Sequence, residues 1–374
     1  MKIGIITHFH KSINYGGVLQ AYALCKYLNN QGHSASQILY TARVKKLAPP
    51  ANSSKKICRT ILKRVKRKYY RNKNRAIQRR MAGLFADFLA SVPHTETAYT
   101  KETINQVADT FDVVVAGSDQ IWNPDWHDTS YMLDFVDSSV SKLSYAASMG
   151  VSVLSDEQKK VYEKYLSQFK RISVREKECA NVLSDVLDKP VEVSVDPTLL
   201  LTAQDWDEIA SDRKIEDKYV FLYMLGDDIK VKKTAQKFAE SKGLKLVYIP
   251  DLIGEYVRSD RKIKGRMVED ATPCDFISLI KHAEYVFTDS FHACVFSLLY
   301  KKNFFAFDRR GTQKTSSRIR NLTEMFDCKE RFCVSDTERS ADYLLKCPPV
   351  NYLKDTPLFD TIRQKSMDFL SENI

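Results

Sequence analysis

Glu284-Tyr285-Val286-Phe287, then Thr288-Asp289-Ser290-Phe291-His292-Ala293, is an apolar run, a short polar turn and the start of a second apolar run that continues to Tyr300. The first run has the length and residue types of a buried strand, the second the length of a helix. A carboxylate, a hydroxyl and an imidazole therefore sit at a strand-to-helix turn. The unpaired backbone N–H groups of a helix start collect there and favour anions. A second turn of this kind is Asn14-Tyr15-Gly16-Gly17, close to the first residues. Two such turns far apart in one chain predict two doubly wound α/β domains facing a shared cleft.

The length of 374 residues suits two cores better than one. Hydrophobic content of 44% and charged content of 28% are ordinary for a soluble globular protein. No apolar run approaches the ~20 residues that span a bilayer. Met1-Lys2-Ile3-Gly4-Ile5-Ile6-Thr7 is too short for a signal peptide and reads as a first strand, so a cytoplasmic location is expected. The eight cysteines form no Cys-x-x-Cys pair, and the seven histidines form no metal-binding spacing. No metal or cofactor is expected, and activity should persist in a chelator.

The net charge of +11 is a local property. Residues 55–80 hold 13 Lys and Arg and no Asp or Glu, which leaves the rest of the chain close to neutral. Ile57, Ile61, Leu62, Val65 and Tyr69, then Ile77, Met81, Leu84, Phe85 and Phe88, recur at helical steps, predicting one long basic helix or two in series over 55–91.

Elsewhere strand and helix alternate. Strands are expected at 2–7, 36–40, 112–116, 142–147, 171–174, 191–195, 219–225, 245–249, 284–287 and 303–307. Helices are expected at 19–30, 156–169, 177–187, 229–242, 275–282, 291–300 and 358–370, with 260–271 as a loop. Gly32 ends the first helix, and Asp196-Pro197 is the expected hinge. This pattern divides the chain into an N-terminal α/β domain (1–196) carrying the basic insertion, a C-terminal α/β domain (197–350) and a capping helix (351–374).

Five separated motifs agree with one family. They are Asn14-Tyr15-Gly16-Gly17; the strand 112–116 with Gly117-Ser118-Asp119; Ile172-Ser173-Val174-Arg175-Glu176; Val195-Asp196-Pro197; and Thr288-Asp289-Ser290-Phe291-His292. In order and spacing, over roughly residues 1–310, the chain resembles the polysaccharide pyruvyltransferases. The resemblance implies a two-domain fold similar to GT-B glycosyltransferases. It also implies a reaction in which phosphoenolpyruvate donates its three-carbon unit to two hydroxyls of one sugar, giving a pyruvate ketal and phosphate.

Arg175 matches an arginine of the family's donor site, where a planar fork suits phosphate and carboxylate. His292 matches the histidine of the C-terminal signature and is expected to act as acid or as phosphate ligand, with Asp289 beside it. Many relatives carry an arginine two residues before that histidine; this chain has Ser290. Arg309, Arg310, Arg318 and Arg320 follow the next strand, and Arg318 is the preferred substitute.

The acceptor is expected on the N-terminal domain, against Asn14, Tyr15, Gln120 and Trp122. Asp119 would orient or deprotonate a hydroxyl, or else merely cap its own turn. His8 and His10 are expected to point into the same cleft. Lys63, Arg64, Lys66, Arg67, Lys68 and Arg71 would contact anionic lipid or the diphosphate of a polyprenyl-linked acceptor at the inner face of the plasma membrane. Nucleic acid is not expected, because no recognised nucleic-acid fold accompanies the tract. The oligomeric state is left open. A glycosyltransferase using a nucleotide sugar is the alternative enzyme, and a basic scaffold for membrane or nucleic acid the alternative outside enzymes.

Overall fold

The computed structural model describes residues 1–42, 60–125, 128–250, 258–309, 316–353 and 356–374, with the backbone alone for 60–75, 258, 261 and 316. Two six-stranded sheets, parallel throughout, make up its frame. The first contains β1 (Lys2–Ile6), β2 (Ser34–Gln37), β3 (Val113–Ala116), β4 (Ser141–Ala147), β5 (Arg171–Val174) and β6 (Glu192–Val193), in the order β2-β1-β3-β4-β5-β6. The second contains β7 (Tyr219–Tyr223), β8 (Lys245–Ile249), β9 (Arg266–Met267), β10 (Tyr285–Thr288), β11 (Asn303–Phe307) and β12 (Phe332–Cys333), in the order β12-β11-β10-β7-β8-β9. The helices are α1 (Tyr15–Asn30), α2 (Thr60–Ser91), α3 (Asp156–Leu166), α4 (Lys177–Leu187), α5 (Ala203–Asp207), α6 (Ile229–Ser241), α7 (Pro273–Lys281), α8 (Phe291–Leu299), α9 (Ser316–Met325), α10 (Ala341–Lys346) and α11 (Pro357–Asn373).

β3 reads Val-Val-Val-Ala and β7 Tyr-Val-Phe-Leu-Tyr, and every one of these residues is buried. Such unbroken apolar runs are what a strand needs when helices cover both faces of its sheet. Strand order reverses between β1 and β3 in the first sheet and between β7 and β10 in the second. Crevices open at the carboxyl ends of strands at these switch points, where doubly wound folds bind ligands.

Local chemistry moves several boundaries from their expected places. The α1 helix begins at Tyr15 rather than 19, because the Asn14 side chain accepts a hydrogen bond from Gly17 N at 3.3 Å and caps it. The Asn14-Tyr15-Gly16-Gly17 motif is thus the cap and first turn of a helix. Within the basic segment, the described residues Thr60–Ser91 form the single helix α2. A two-residue edge strand, β9, lies in the stretch expected to be a loop, and β12, α9 and α10 complete the second domain beyond the elements expected.

One apolar cluster runs through both domains. Tyr15 stacks on Phe276 at 4.8 Å, and its hydroxyl donates to Ala271 O at 2.7 Å, tying α1 to α7. Met81, Phe85 and Phe88 bury the last turns of α2 in the same cluster. The terminal helix α11 returns to the first sheet, where Ser366 Oγ accepts from Val195 N at 3.0 Å and Phe369 packs near Tyr145. Among the described residues no helix is long and apolar enough to cross a membrane. The side chains of Lys63, Arg64, Lys66, Arg67, Lys68 and Arg71 lie outside those described.

Candidate active site

The first sheet delivers one cation and three carboxylates to its crevice. After β3 the chain turns at Gly117 (φ 146°), where a Cβ would come within 2.1 Å of Tyr145 O, so glycine is required. Asp119 follows, at φ 72°. Arg175 leaves β5 with only 4% of its side chain exposed. Its three guanidinium nitrogens each face a carboxylate: Nη1 to Asp196 Oδ2 at 2.6 Å, Nη2 to Asp119 Oδ1 at 3.3 Å, and Nε to Glu176 Oε1 at 3.5 Å. Its plane covers Phe291 of the other domain at 4.7 Å.

Burial alone would destabilise all of these charges, and their mutual pairing overcomes it. Burial opposes the charge of Arg175, yet Glu176, Asp196 and Asp119 raise the guanidinium above its ordinary value. Burial likewise opposes ionisation of Asp196, but His292, Arg175 and Thr198 hold its carboxyl well below the usual range. Asp119 is held low against its own burial by Arg175, His292, Arg318 and His8.

The second sheet contributes the β10–α8 turn. Asp289, expected to be catalytic, accepts from Leu225 N at 2.7 Å and Gly226 N at 2.9 Å, and Arg309 Nε lies 3.3 Å away. Its carboxylate pins the turn across the β7–β10 switch point and is fully buried, which suits a structural anchor rather than proton transfer. Ser290 caps α8, accepting from Ala293 N. His292, in the first turn of α8, reaches across to the N-terminal domain. Its Nε2 sits 3.4 Å from Asp196 Oδ2, a close contact without hydrogen-bond alignment. A Cβ on Gly16 would lie 2.0 Å from its Nδ1, so α1 admits the imidazole only because that position is glycine.

Arg318 projects from α9 into the same place. Its Nη1 is 4.0 Å from Asp119 Oδ1, its plane is 5.9 Å from Phe291, and 11% of its side chain is exposed. Its Nε has no hydrogen-bond partner among the described residues. Burial and the neighbouring Arg175 pull its guanidinium down to about 10. Arg318 therefore stands in the cleft as an under-compensated cation, whereas Arg175 is committed to carboxylates.

The other expected contacts scatter. Asn14 is occupied as a helix cap and Tyr15 is buried between domains. Gln120 packs against Gly150, where a Cβ would meet its Nε2 at 2.4 Å. Trp122 is a core residue: its Nε1 donates to Tyr131 O at 2.7 Å, its ring packs edge-on to Phe169, and it has no face for a sugar. His8 sits edge-on to Tyr131, and burial lowers its imidazole although Asp119 and Asp128 oppose the shift. His10 does not share this cleft; it lines a separate groove with Ala82, Ala86 and Leu89 of α2, and burial lowers it too. Arg320 is exposed, Arg309 is bound to Asp289, and Arg310 lies outside the described residues.

Three site residues were not expected in these roles: Asp196, Glu176 and Phe291. Asp196 was read as a hinge because proline follows it. The signal for a buried role is that it lies within three residues of a strand's carboxyl end, as Asp119 and Asp289 do.

The chain belongs to the polysaccharide pyruvyl transferase family, whose model matches residues 14–311. Among solved structures it is similar to UDP-GlcNAc 2-epimerase from Methanocaldococcus jannaschii, at 12% identity and a TM-score of 0.55, covering 99% of this chain and 100% of that one. It is also similar to UDP-N-acetylglucosamine 2-epimerase from Rickettsia bellii, at 11% identity and a TM-score of 0.52, covering 99% and 95%. At these identities the likeness shows a GT-B-type fold and nothing of the chemistry. No curated protein sequence matches the chain.

Proposed function

We propose that the protein transfers a pyruvyl group from phosphoenolpyruvate to two hydroxyls of one sugar in a glycan precursor. The observation that carries the donor assignment is Arg318, a nearly buried guanidinium near Asp119 and the Phe291 ring whose Nε has no partner among the described residues. In a site this dry, an arginine fork with its Nε unpartnered among the described residues and only a 4.0 Å contact to Asp119 is a strong receptor for phosphate or carboxylate.

The reaction needs one proton delivered to the donor methylene, which leaves a cationic carbon between phosphate and carboxylate. A first sugar hydroxyl adds there and loses its proton, phosphate departs, and a second hydroxyl closes the ketal. The two hydroxyl protons replace the one taken by the methylene and supply the one that phosphate carries away. His292 is suited to deliver the first proton, with Asp196 beside its Nε2. Asp119 is held ionised and is suited to align a hydroxyl.

The acceptor is proposed to be linked to a polyprenyl diphosphate, with the basic face of α2 resting on anionic lipid. No step requires a metal or an organic cofactor.

A thermal-shift series tests the donor. Phosphoenolpyruvate should raise the melting temperature by mass action, and Arg318→Ala should remove that rise. Arg318 is the informative position, because Arg175→Ala would also strand three buried carboxylates. A rise with a nucleotide sugar and none with phosphoenolpyruvate would replace the donor with a sugar nucleotide.

A further inference from the structure

Beside the cation site, between the two domains, lies an open cleft of about 810 Å³. Gly150, Asp125, Glu176 and Glu178 line it from the first domain, Asp308 and Arg320 from the second. At one edge Asn321 Nδ2 of α9 donates to Glu178 Oε2 of α4 at 2.9 Å, joining the domains. Glu176 belongs to both places. Its Oε1 accepts from Ser148 Oγ at 2.8 Å and faces Arg175, while its Oε2 has no partner among the described residues although Glu176 is only 5% exposed.

A buried carboxylate oxygen without a donor is costly, and one lining a cleft beside an anion site marks a missing ligand group. The missing group must be a donor. Four carboxylates outnumber the one arginine on the walls, Arg320, which disfavours an acid and leaves room for hydroxyls or an amine.

We propose that this cleft holds the acceptor, that the reacting sugar is neutral or cationic rather than a uronic acid, and that Glu176 Oε2 accepts from one of its hydroxyls. The inference rests on the pyruvyl-transfer reading and moves the acceptor contacts from Asn14, Tyr15, Gln120 and Trp122 to the walls of this cleft. The diphosphate of a lipid-linked acceptor would lie outside the cleft, because its charge would be rejected within it.

The test is saturation-transfer NMR on the full chain with the methyl glycosides of galactose, glucosamine and glucuronic acid, each with and without phosphoenolpyruvate. The neutral and amino glycosides should bind about tenfold better than the glucuronide. Glu176→Gln should abolish their signal while keeping the thermal shift with phosphoenolpyruvate. Asp125→Lys, at the exposed rim, should raise glucuronide binding several-fold. Equal or better binding of the glucuronide, or failure of every neutral and amino glycoside to bind, overturns the proposal. Loss of the phosphoenolpyruvate shift together with sugar binding in Glu176→Gln would make Glu176 a structural partner of Arg175, and so would also overturn its role. Absence of a phosphoenolpyruvate shift in the unaltered chain refutes the donor assignment alone, since the sugar arms still report on the cleft.

Discussion

Asp196 touches both Arg175 and His292 and is itself held by Thr198, whose N and Oγ1 donate to Oδ1 at 3.0 and 2.6 Å. Asp196→Asn should cost about 3–5 kcal/mol, the usual penalty for stranding one partner of a buried ion pair. The pH dependence has a definite sign. The folded-state pKa of Asp196 is depressed, so its contribution to stability is complete above the unfolded value of about 3.9 and is lost as pH falls through the folded value. Urea titrations of the two proteins should therefore differ at pH 7 and converge on acidification; a constant difference down to low pH would contradict the pairing. Gly16 offers a second probe. Alanine there favours a helix, yet its Cβ would displace the His292 ring. Gly16→Ala should lower turnover by at least about tenfold, a modest loss for a misplaced catalytic group, with the melting temperature nearly unchanged. Normal turnover would mean that His292 need not sit against α1.

At the scale of elements, α2 divides its labour along its length. Its last turns are a wall of the core, so Phe85→Ala, at a fully buried position, should destabilise the fold by about 3–5 kcal/mol in urea unfolding. Its first turns carry charge and few apolar groups. Replacing Lys63, Arg64, Lys66, Arg67, Lys68 and Arg71 with glutamine should leave unfolding unchanged and sharply reduce sedimentation with vesicles containing anionic lipid, an effect that salt should mimic. Undiminished sedimentation would remove the membrane role of this helix.

In the whole molecule, the site exists only where the domains meet. Arg175 and its three carboxylates come from the first sheet; Phe291, His292 and Arg318 come from the second. The Tyr15–Phe276 stack and the Tyr15–Ala271 hydrogen bond hold these halves in register. Tyr15→Phe keeps the stack and removes one hydrogen bond between domains, typically worth about 1 kcal/mol. It should therefore weaken donor binding without unfolding the chain, which titration of phosphoenolpyruvate against the melting temperature will measure.

The alternation of apolar runs with helical spacings determined, in the sequence alone, two parallel doubly wound sheets. Each strand buried on two faces must be apolar throughout, and that demand is written locally in β3 and β7. The family resemblance likewise pointed to His292 and Arg175, and the departure at Ser290 to Arg318, as residues of one site. Tertiary structure decided what those neighbours do, because pairing of charges depends on distances across the interface. It committed Arg175 to three carboxylates, turned Asp289 into an anchor for two backbone N–H groups and sank Trp122 into the core. It also brought Asp196, expected as a hinge, and Glu176, given no role of its own, into the charged centre. The partners of Arg175 range from its chain neighbour Glu176, through Asp196 and Asp119, to Phe291 more than a hundred positions away, and no local pattern encodes which of them it will meet.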